Sequence, residues 1–487
     1  MSLHANIKRL LSDSVIYGLS GVFTRFISVF LTPIYTRIYT PEDYGVIGIL
    51  TNGYILLSIL LVFSMDAATA RWYFDTESKE QRKRVINTWI WFYLIFSLAV
   101  GVLLFVTAGF WQQQFLPESP DSILFIRLIS LNLPLVVWST VAINILRFEL
   151  KAKKSVFLSL SQSLLLIFFN ILFVVLLRMG LQGIYWAQLA GSLLVVPLSL
   201  FFIKEWVGYP KLFSKDLFPG MLKFAFPLMP ATIGYWVVNL SGVFFINEFL
   251  PQEKVGLYQI GISVASVSGL ATTAFQQAWS PFAFSILNQP NAKQVFAFSL
   301  KVYVLLVGLF CMLIAVFAFE ALVILTTEAY YGAALVASIL TFNSFLMGLS
   351  TISGLGATVA KKTFPLGMIN LVSAILLIGF NFALIPVLGI EGAALAVCLS
   401  QLIIPCYMFW KSHQYYAIPF PFLNSIFLVL LMVGTVTLSY LFKQENVWFN
   451  FVLKSGLVIF ALVLMGWMNK TEVSRFFELV KKSRLVA

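Results

Sequence analysis

Charge is scarce in this chain of 487 residues: Asp, Glu, Lys and Arg together make up 11%, while 60% of the residues are hydrophobic. A water-soluble domain of that length needs far more polar surface to cover its core. Histidine is nearly absent. His4 and His413 both fall in flanking segments, so neither a metal centre nor a Ser/His/Asp or Cys/His catalytic set can be assembled from them. Cys311, Cys398 and Cys406 all sit inside apolar runs and offer no disulfide framework. There is no G-x-x-x-x-G-K-[ST] loop after a strand and no soluble nucleotide domain, so nothing supports ATP hydrolysis. These absences argue against an enzyme and against nucleotide or nucleic-acid partners, with no cofactor expected.

What the chain has in quantity is long apolar runs, each able to cross ~30 Å of hydrocarbon at 1.5 Å per residue. Its 48 Phe and 12 Trp suit lipid-facing and interfacial positions. Fourteen runs can be placed, at about 13–36, 44–65, 85–110, 122–145, 155–178, 182–203, 218–246, 255–280, 296–319, 330–354, 364–387, 389–410, 420–441 and 449–468. Continuous runs indicate helices, since a closed barrel would show short alternating strands. The expected fold is an all-α polytopic membrane protein whose first run is retained, having no small-x-small exit site.

Basic residues set the orientation. With a cytoplasmic N-terminus, 24 of the 32 Lys and Arg fall in inner segments, four in outer ones (Arg37, Arg178, Lys254, Lys443) and four within runs (Arg25, Arg127, Lys223, Lys454). Acidic residues divide evenly, as expected when Lys and Arg alone decide topology. Both termini are expected in the cytoplasm, which requires an even number of spans.

The chain repeats itself. PIYTRIYTPEDYG (33–45) has a related turn in PQEKVG (251–256), AKKS (152–155) returns as AKKT (360–363), and GLQGIYWAQLA (180–190) returns as GIEGAALAVCL (389–399). The offsets run from 208 to 211, which indicates duplication. Six spans separate the copies, so the halves share one orientation about an axis along the membrane normal, with a cleft between them. The division expected is a six-helix bundle over 1–204, a cytoplasmic linker over 205–217, a second six-helix bundle over 218–412, and two added spans with a basic tail over 413–487. The linker stretch WVGYPKLFSKD (206–216) is basic and amphipathic: either it lies on the inner leaflet or it is a plain connector.

Charges within runs are the candidate site. Arg25 is 12 residues from both Asp13 and Arg37, ~18 Å from either end of its span. An Arg at that depth costs at least ~2.5–3.5 kcal/mol, so it should face a wet cavity or a partner. Ser14, Gly18, Gly21, Arg25, Ser28 and Thr32 share one helix face; the stripe reads either as cavity lining or as a small-residue packing seam. Arg127 and Lys223 lie closer to span ends and either line the cleft or snorkel to the interface. Lys454 reads as an interfacial residue outside the repeat. Asp66 and Arg71 form either a gate pair or an exposed ion pair worth little. Pro227 and Pro230 share one span and are candidate hinge residues. No Asp or Glu falls at mid-membrane, so the cleft favours an anion such as a diphosphate over a cationic drug.

Several stretches in order resemble one family. SVIYGLSGVFTRFISVFLTPIYTRIYTPEDYG (14–45), SMDAATARWYF (64–74), ILRFELKAKKSVF (145–157), GLQGIYWAQLAG (180–191), FAFPLMPATIG (224–234) and VGLYQIGISVA (255–265) are similar to the polysaccharide-export (O-antigen, Wzx-type) flippases of the multidrug/oligosaccharidyl-lipid/polysaccharide superfamily. The resemblance implies two six-helix bundles in a V around a central cavity, with two extra C-terminal helices. The implied activity moves an undecaprenyl-pyrophosphate-linked glycan across the membrane by alternating access, using cationic cavity residues. A polysaccharide polymerase and a chain-length regulator are the implied partners, and a proton or sodium ion the implied coupling ion. Many relatives have Asp-Arg where this chain has Gly242-Val243 in NLSGVFFIN (239–247), which leaves the second half's binding residues open. The alternative is a multidrug antiporter of the same superfamily, which predicts mid-membrane carboxylates.

Overall fold

A computed structural model of the chain describes residues 31–287, 289–360, 362, 364–442 and 447–468. Among these the fold is entirely helical. Helix α1 occupies 31–38. It is followed by α2 (Pro41–Val62), α3 (Met65–Phe74), α4 (Lys79–Val106), α5 (Ala108–Phe115), α6 (Ser122–Phe148), α7 (Ala152–Asn170) and α8 (Leu181–Ile203). The second half continues with α9 (Leu217–Ala225), α10 (Met229–Leu240), α11 (Gly242–Phe249), α12 (Gln252–Ala265), α13 (Ser268–Ile286), α14 (Ala292–Val316) and α15 (Ala318–Leu325). Last come α16 (Ala334–Ser353), α17 (Leu355–Val359), α18 (Phe364–Leu388), α19 (Ile390–Tyr415), α20 (Phe422–Leu441) and α21 (Val447–Met468). Twelve helical units are long and apolar enough to cross a bilayer, and α12 with α13, bent by 48°, makes a thirteenth. They match the second to fourteenth expected spans; most of the first lies outside the described residues.

Local chemistry explains where helices start and break. At α2, Pro41 occupies the first turn, where its missing N–H costs nothing, and Thr40 and Asp43 cap each other's backbone N–H at 3.0 and 3.3 Å. The same span breaks before α3 without Gly or Pro: Phe63 and Ser64 both take left-handed conformations, at φ 50° and 52°. Strain of that kind persists only when neighbours hold it, and the Tyr93 hydroxyl donates to the Val62 carbonyl there.

The duplication is built into the packing. Gly180 and Gly389 precede α8 and α19 at φ +63° and +66°, a conformation that favours glycine. A Cβ on Gly183 would come within 3.2 Å of the Phe173 carbonyl, and one on Gly392 within 2.3 Å of the Leu384 carbonyl, so the same close helix crossing occurs twice. The breaks at Thr107 (α4 to α5) and Phe317 (α14 to α15) also correspond.

The linker stretch, residues 206–216, is largely non-helical. It is an irregular segment with one short turn at Pro210–Leu212, pinned to α4. Asn87 donates to the Trp206 carbonyl (2.7 Å) and accepts from the Gly208 N–H (2.8 Å), and the Trp91 indole donates to the Gly208 carbonyl. Gly208 and Pro210 break helical continuity, and α4 satisfies the backbone groups this frees.

Candidate functional site: a two-halved bundle with a polar hollow

The two halves meet most closely through α2 and α12, at the end of the bundle carrying Pro41. The contact is reciprocal. A Cβ on Gly45 would lie 2.3 Å from the Gln252 carbonyl oxygen, and a Cβ on Gly256 would lie 1.8 Å from that of Pro41. Neither helix could approach so near with any side chain at these positions. The seam is then stitched by polar contacts. Asn52 donates to Gln259 Oε1 (3.2 Å), the Trp236 indole donates to the Asn52 carbonyl (3.1 Å), and the Tyr330 hydroxyl donates to the Tyr39 carbonyl (2.7 Å). The Tyr44 and Tyr330 rings meet edge-on across it.

At the opposite end, nearest the linker, one span crosses from half to half. A single tight turn at Phe226–Leu228, containing Pro227, separates α9 from α10, and Pro230 lies in the first turn of α10. Helix α9 buries Met221 and Ala225 against α3 and α4 of the first half, whereas α10 packs chiefly on α18 of the second and touches α2 across the seam. The ring of Phe224 lies 5.8 Å from that of Trp72 and 5.1 Å from the Arg71 guanidinium. Both candidate hinge prolines therefore sit where the span changes partners.

Asp66 and Arg71 do not pair. Arg71 lies 3.7 Å from Asp75, one turn further along α3, because residues four apart share a helix face and residues five apart do not. Lys223 is an exposed residue of α9. Arg127 is exposed on α6, its guanidinium 5.2 Å above the Phe105 ring and its face shared with exposed Leu124 and Leu131. That surroundings suits a snorkelling arginine on an apolar surface rather than a lining of the hollow described next. Arg25, Ser14, Gly18, Gly21 and Ser28 lie outside the described residues. Thr32, the remaining member of the stripe, is buried. Lys301, inside the apolar run 296–319, is buried within α14.

The second half has a half-open hollow of about 250 Å³ between α10, α16, α18 and α19. Five polar side chains line it: Asn239, Ser350, Thr351, Asn370 and Gln401. Two more support it from behind. Asn343 donates to Asn239 Oδ1 (3.3 Å), and Gln276 of α13 donates to Thr351 Oγ1 (3.0 Å) and to the Met347 carbonyl (3.2 Å). Gln401 reaches Ser350 Oγ at 3.4 Å. None of the lining residues is charged. Attention to charges missed this cluster; the signal available was a set of amides recurring in apolar runs.

A second unforeseen feature joins the added spans to the core. Lys454 of α21, 1% exposed, forms an ion pair of 2.9 Å with Glu320 of α15, which also accepts from Asn450 at 3.1 Å. Lys454 is therefore a buried partner and not an interfacial residue. Two opposite charges each near an apolar-run end were the available signal, but 134 residues separate them.

Comparison with known proteins bears on what such a bundle does. The model of a family described as polysaccharide biosynthesis protein matches residues 34–335. A membrane protein of Haemophilus influenzae is 22% identical over 288 residues, covering 58% of this chain and 67% of its own. The succinoglycan biosynthesis transport protein ExoT of Rhizobium meliloti is 24% identical over 260 residues, 53% of this chain and 48% of its own, so the chain spans about half of that relative. Among solved structures, the lipid II flippase MurJ in an inward closed conformation superposes with a TM-score of 0.74 over 94% of this chain and all of MurJ, at 14% identity. An inward-facing multidrug resistance MATE transporter of the MOP superfamily gives 0.59 over 80% of this chain and 94% of its own, also at 14% identity. At such identities these likenesses concern the fold.

Proposed function

The chain belongs to the polysaccharide biosynthesis protein family, and from that premise we propose that it is a flippase for a lipid-linked oligosaccharide. It moves an undecaprenyl-pyrophosphate-linked glycan from the cytoplasmic to the periplasmic leaflet of a bacterial inner membrane, for O-antigen, capsule or exopolysaccharide assembly. The observation that carries the reading is a neutral polar hollow inside an apolar bundle of two related halves. A glycan offers many hydroxyls and needs side chains that both donate and accept, while its lipid tail stays in the bilayer.

Alternating access fits the way the halves are joined. They are clamped at the Pro41 end through Gly45 and Gly256 and bridged at the other by a span broken at Pro227. Two related bundles rocking about such contacts would open the space between them to either face in turn. Arg25 is the residue proposed to meet the diphosphate, since a guanidinium fork matches phosphate oxygens. Lys223 is proposed to assist from α9. A cation-exporting drug antiporter would want a free buried carboxylate, whereas Glu320 is neutralised by Lys454.

Deleting the gene in its host should abolish surface polysaccharide and accumulate the lipid-linked repeat inside. Arg25→Ala should do the same at unchanged protein level; normal polysaccharide in that variant would remove Arg25 from the site. Intact surface glycan with new drug sensitivity in the deletion strain would overturn the flippase reading.

A further inference from the structure

We propose that the hollow lined by Asn239, Ser350, Thr351, Asn370 and Gln401 is a subsite for an uncharged sugar unit of the transported glycan. This rests on the flippase reading and gives its second half a ligand. At about 250 Å³ the hollow is smaller than the ~300–1,000 Å³ of typical ligand pockets. That volume is on the scale of a sugar unit, and the open side leaves the rest of the glycan outside it.

Its chemistry is specific to hydroxyls. Three carboxamides and two hydroxyl side chains line it, and each can both donate and accept, as a sugar hydroxyl does. A diphosphate would want cations and a drug cation would want carboxylates, and the lining has neither. Val238, Met347, Leu366 and Ile404 supply apolar patches among the polar groups, against which the C–H face of a pyranose can lie.

The internal hydrogen bonds are of the kind a ligand displaces. Gln401 to Ser350 and Asn343 to Asn239 measure 3.4 and 3.3 Å, beyond the 2.7–3.2 Å of well-made bonds. Asn343 Oδ1 is buried and accepts nothing. A sugar hydroxyl entering the hollow can compete for these long contacts, while Asn370, which donates to the Leu366 carbonyl at 2.7 Å, keeps its amide oxygen to accept from it. Gln276, bonded to both Thr351 and the Met347 carbonyl, holds the α16 wall in place from α13.

The test uses the full-length protein in detergent with two probes. One is the lipid-linked glycan extracted from the host's own deletion strain, and the other is undecaprenyl pyrophosphate without sugar. Wild type should bind the glycolipid at least tenfold more tightly than the bare carrier. The double variant Asn239→Leu/Gln401→Leu, and separately Thr351→Val, should lose that preference while binding the bare carrier as wild type does, which also reports that they are folded. Variants that keep the full preference, or a wild type with none, would overturn the subsite and leave the flippase standing. A wild type that binds neither probe would overturn the flippase reading itself.

Discussion

Asn170 of α7 and Asn381 of α18 stand 211 residues apart, at the repeat offset, yet their surroundings differ. The Asn170 amide accepts from the Tyr35 hydroxyl and donates to the Leu166 carbonyl at 2.8 Å. Asn381 is fully buried, and neither its amide nitrogen nor its amide oxygen has a partner. The residue corresponding to Tyr35 is Phe245, whose ring packs 5.5 Å from that of Phe382 and brings no hydroxyl. The same substitution should therefore have opposite signs in the two halves. Asn381→Leu removes two unmet polar atoms and keeps the branching at Cγ, with two bulkier methyl groups in their place. The cost of leaving a buried group unsatisfied is ~1–3 kcal/mol, and side-chain hydrogen bonds in membrane bundles average ~0.6 with a maximum of ~1.7 kcal/mol. A gain of about 1 kcal/mol is expected. Asn170→Leu strands the Tyr35 hydroxyl and should lose a similar amount. Thermal unfolding of the purified variants, followed by loss of the monodisperse peak after heating, reads both. If Asn381→Leu lowers the midpoint as Asn170→Leu does, Asn381 has a partner in the working protein, and the reasoning from broken symmetry fails.

Three further outcomes follow from packing already described. Gly256→Ala places a methyl 1.8 Å from the Pro41 carbonyl oxygen, so it should pry α2 from α12 and cut transport at least tenfold with protein still in the membrane; full transport would show that the seam is dispensable. Lys454→Met leaves Glu320 buried without its cation and should destabilise by ~3–5 kcal/mol, while Lys454→Met with Glu320→Leu should recover most of that; thermal midpoints of the two proteins decide it. Pro227→Ala with Pro230→Ala should slow transport with little change in stability, since only the turn between α9 and α10 is altered; unchanged transport rates would remove these prolines from the hinge.

The span count, the duplication and the glycine positions were legible because each is periodic: apolar runs of fixed length, and landmarks at one offset. The close approach of Gly45 and Gly256 was written in the two turns of like shape, though their mutual contact is tertiary. The Asp66–Arg71 pairing failed on helix geometry, because residues five apart lie on different faces of α3 and Arg71 is beside Asp75 instead. The hollow was illegible for a different reason. Its polar side chains come from four helices between residues 239 and 401, each unremarkable in its own span, and only packing gathers them. Glu320 and Lys454 likewise look like ordinary flanking charges until α21 is docked.

The partner exchange in the span holding Pro227 bears on how the chain can be divided. Helix α9 follows the linker in sequence but belongs to the first half in space, where Phe218 meets Phe92 at 5.3 Å and Phe224 meets Trp72. A polypeptide ending at the linker would leave those aromatic faces bare, and the complementary piece would begin with a helix that has nothing of its own to rest on. Two co-expressed fragments should reassemble better when severed at Phe226–Leu228, the turn at which the chain changes sides, than at the connector that looks made for cutting.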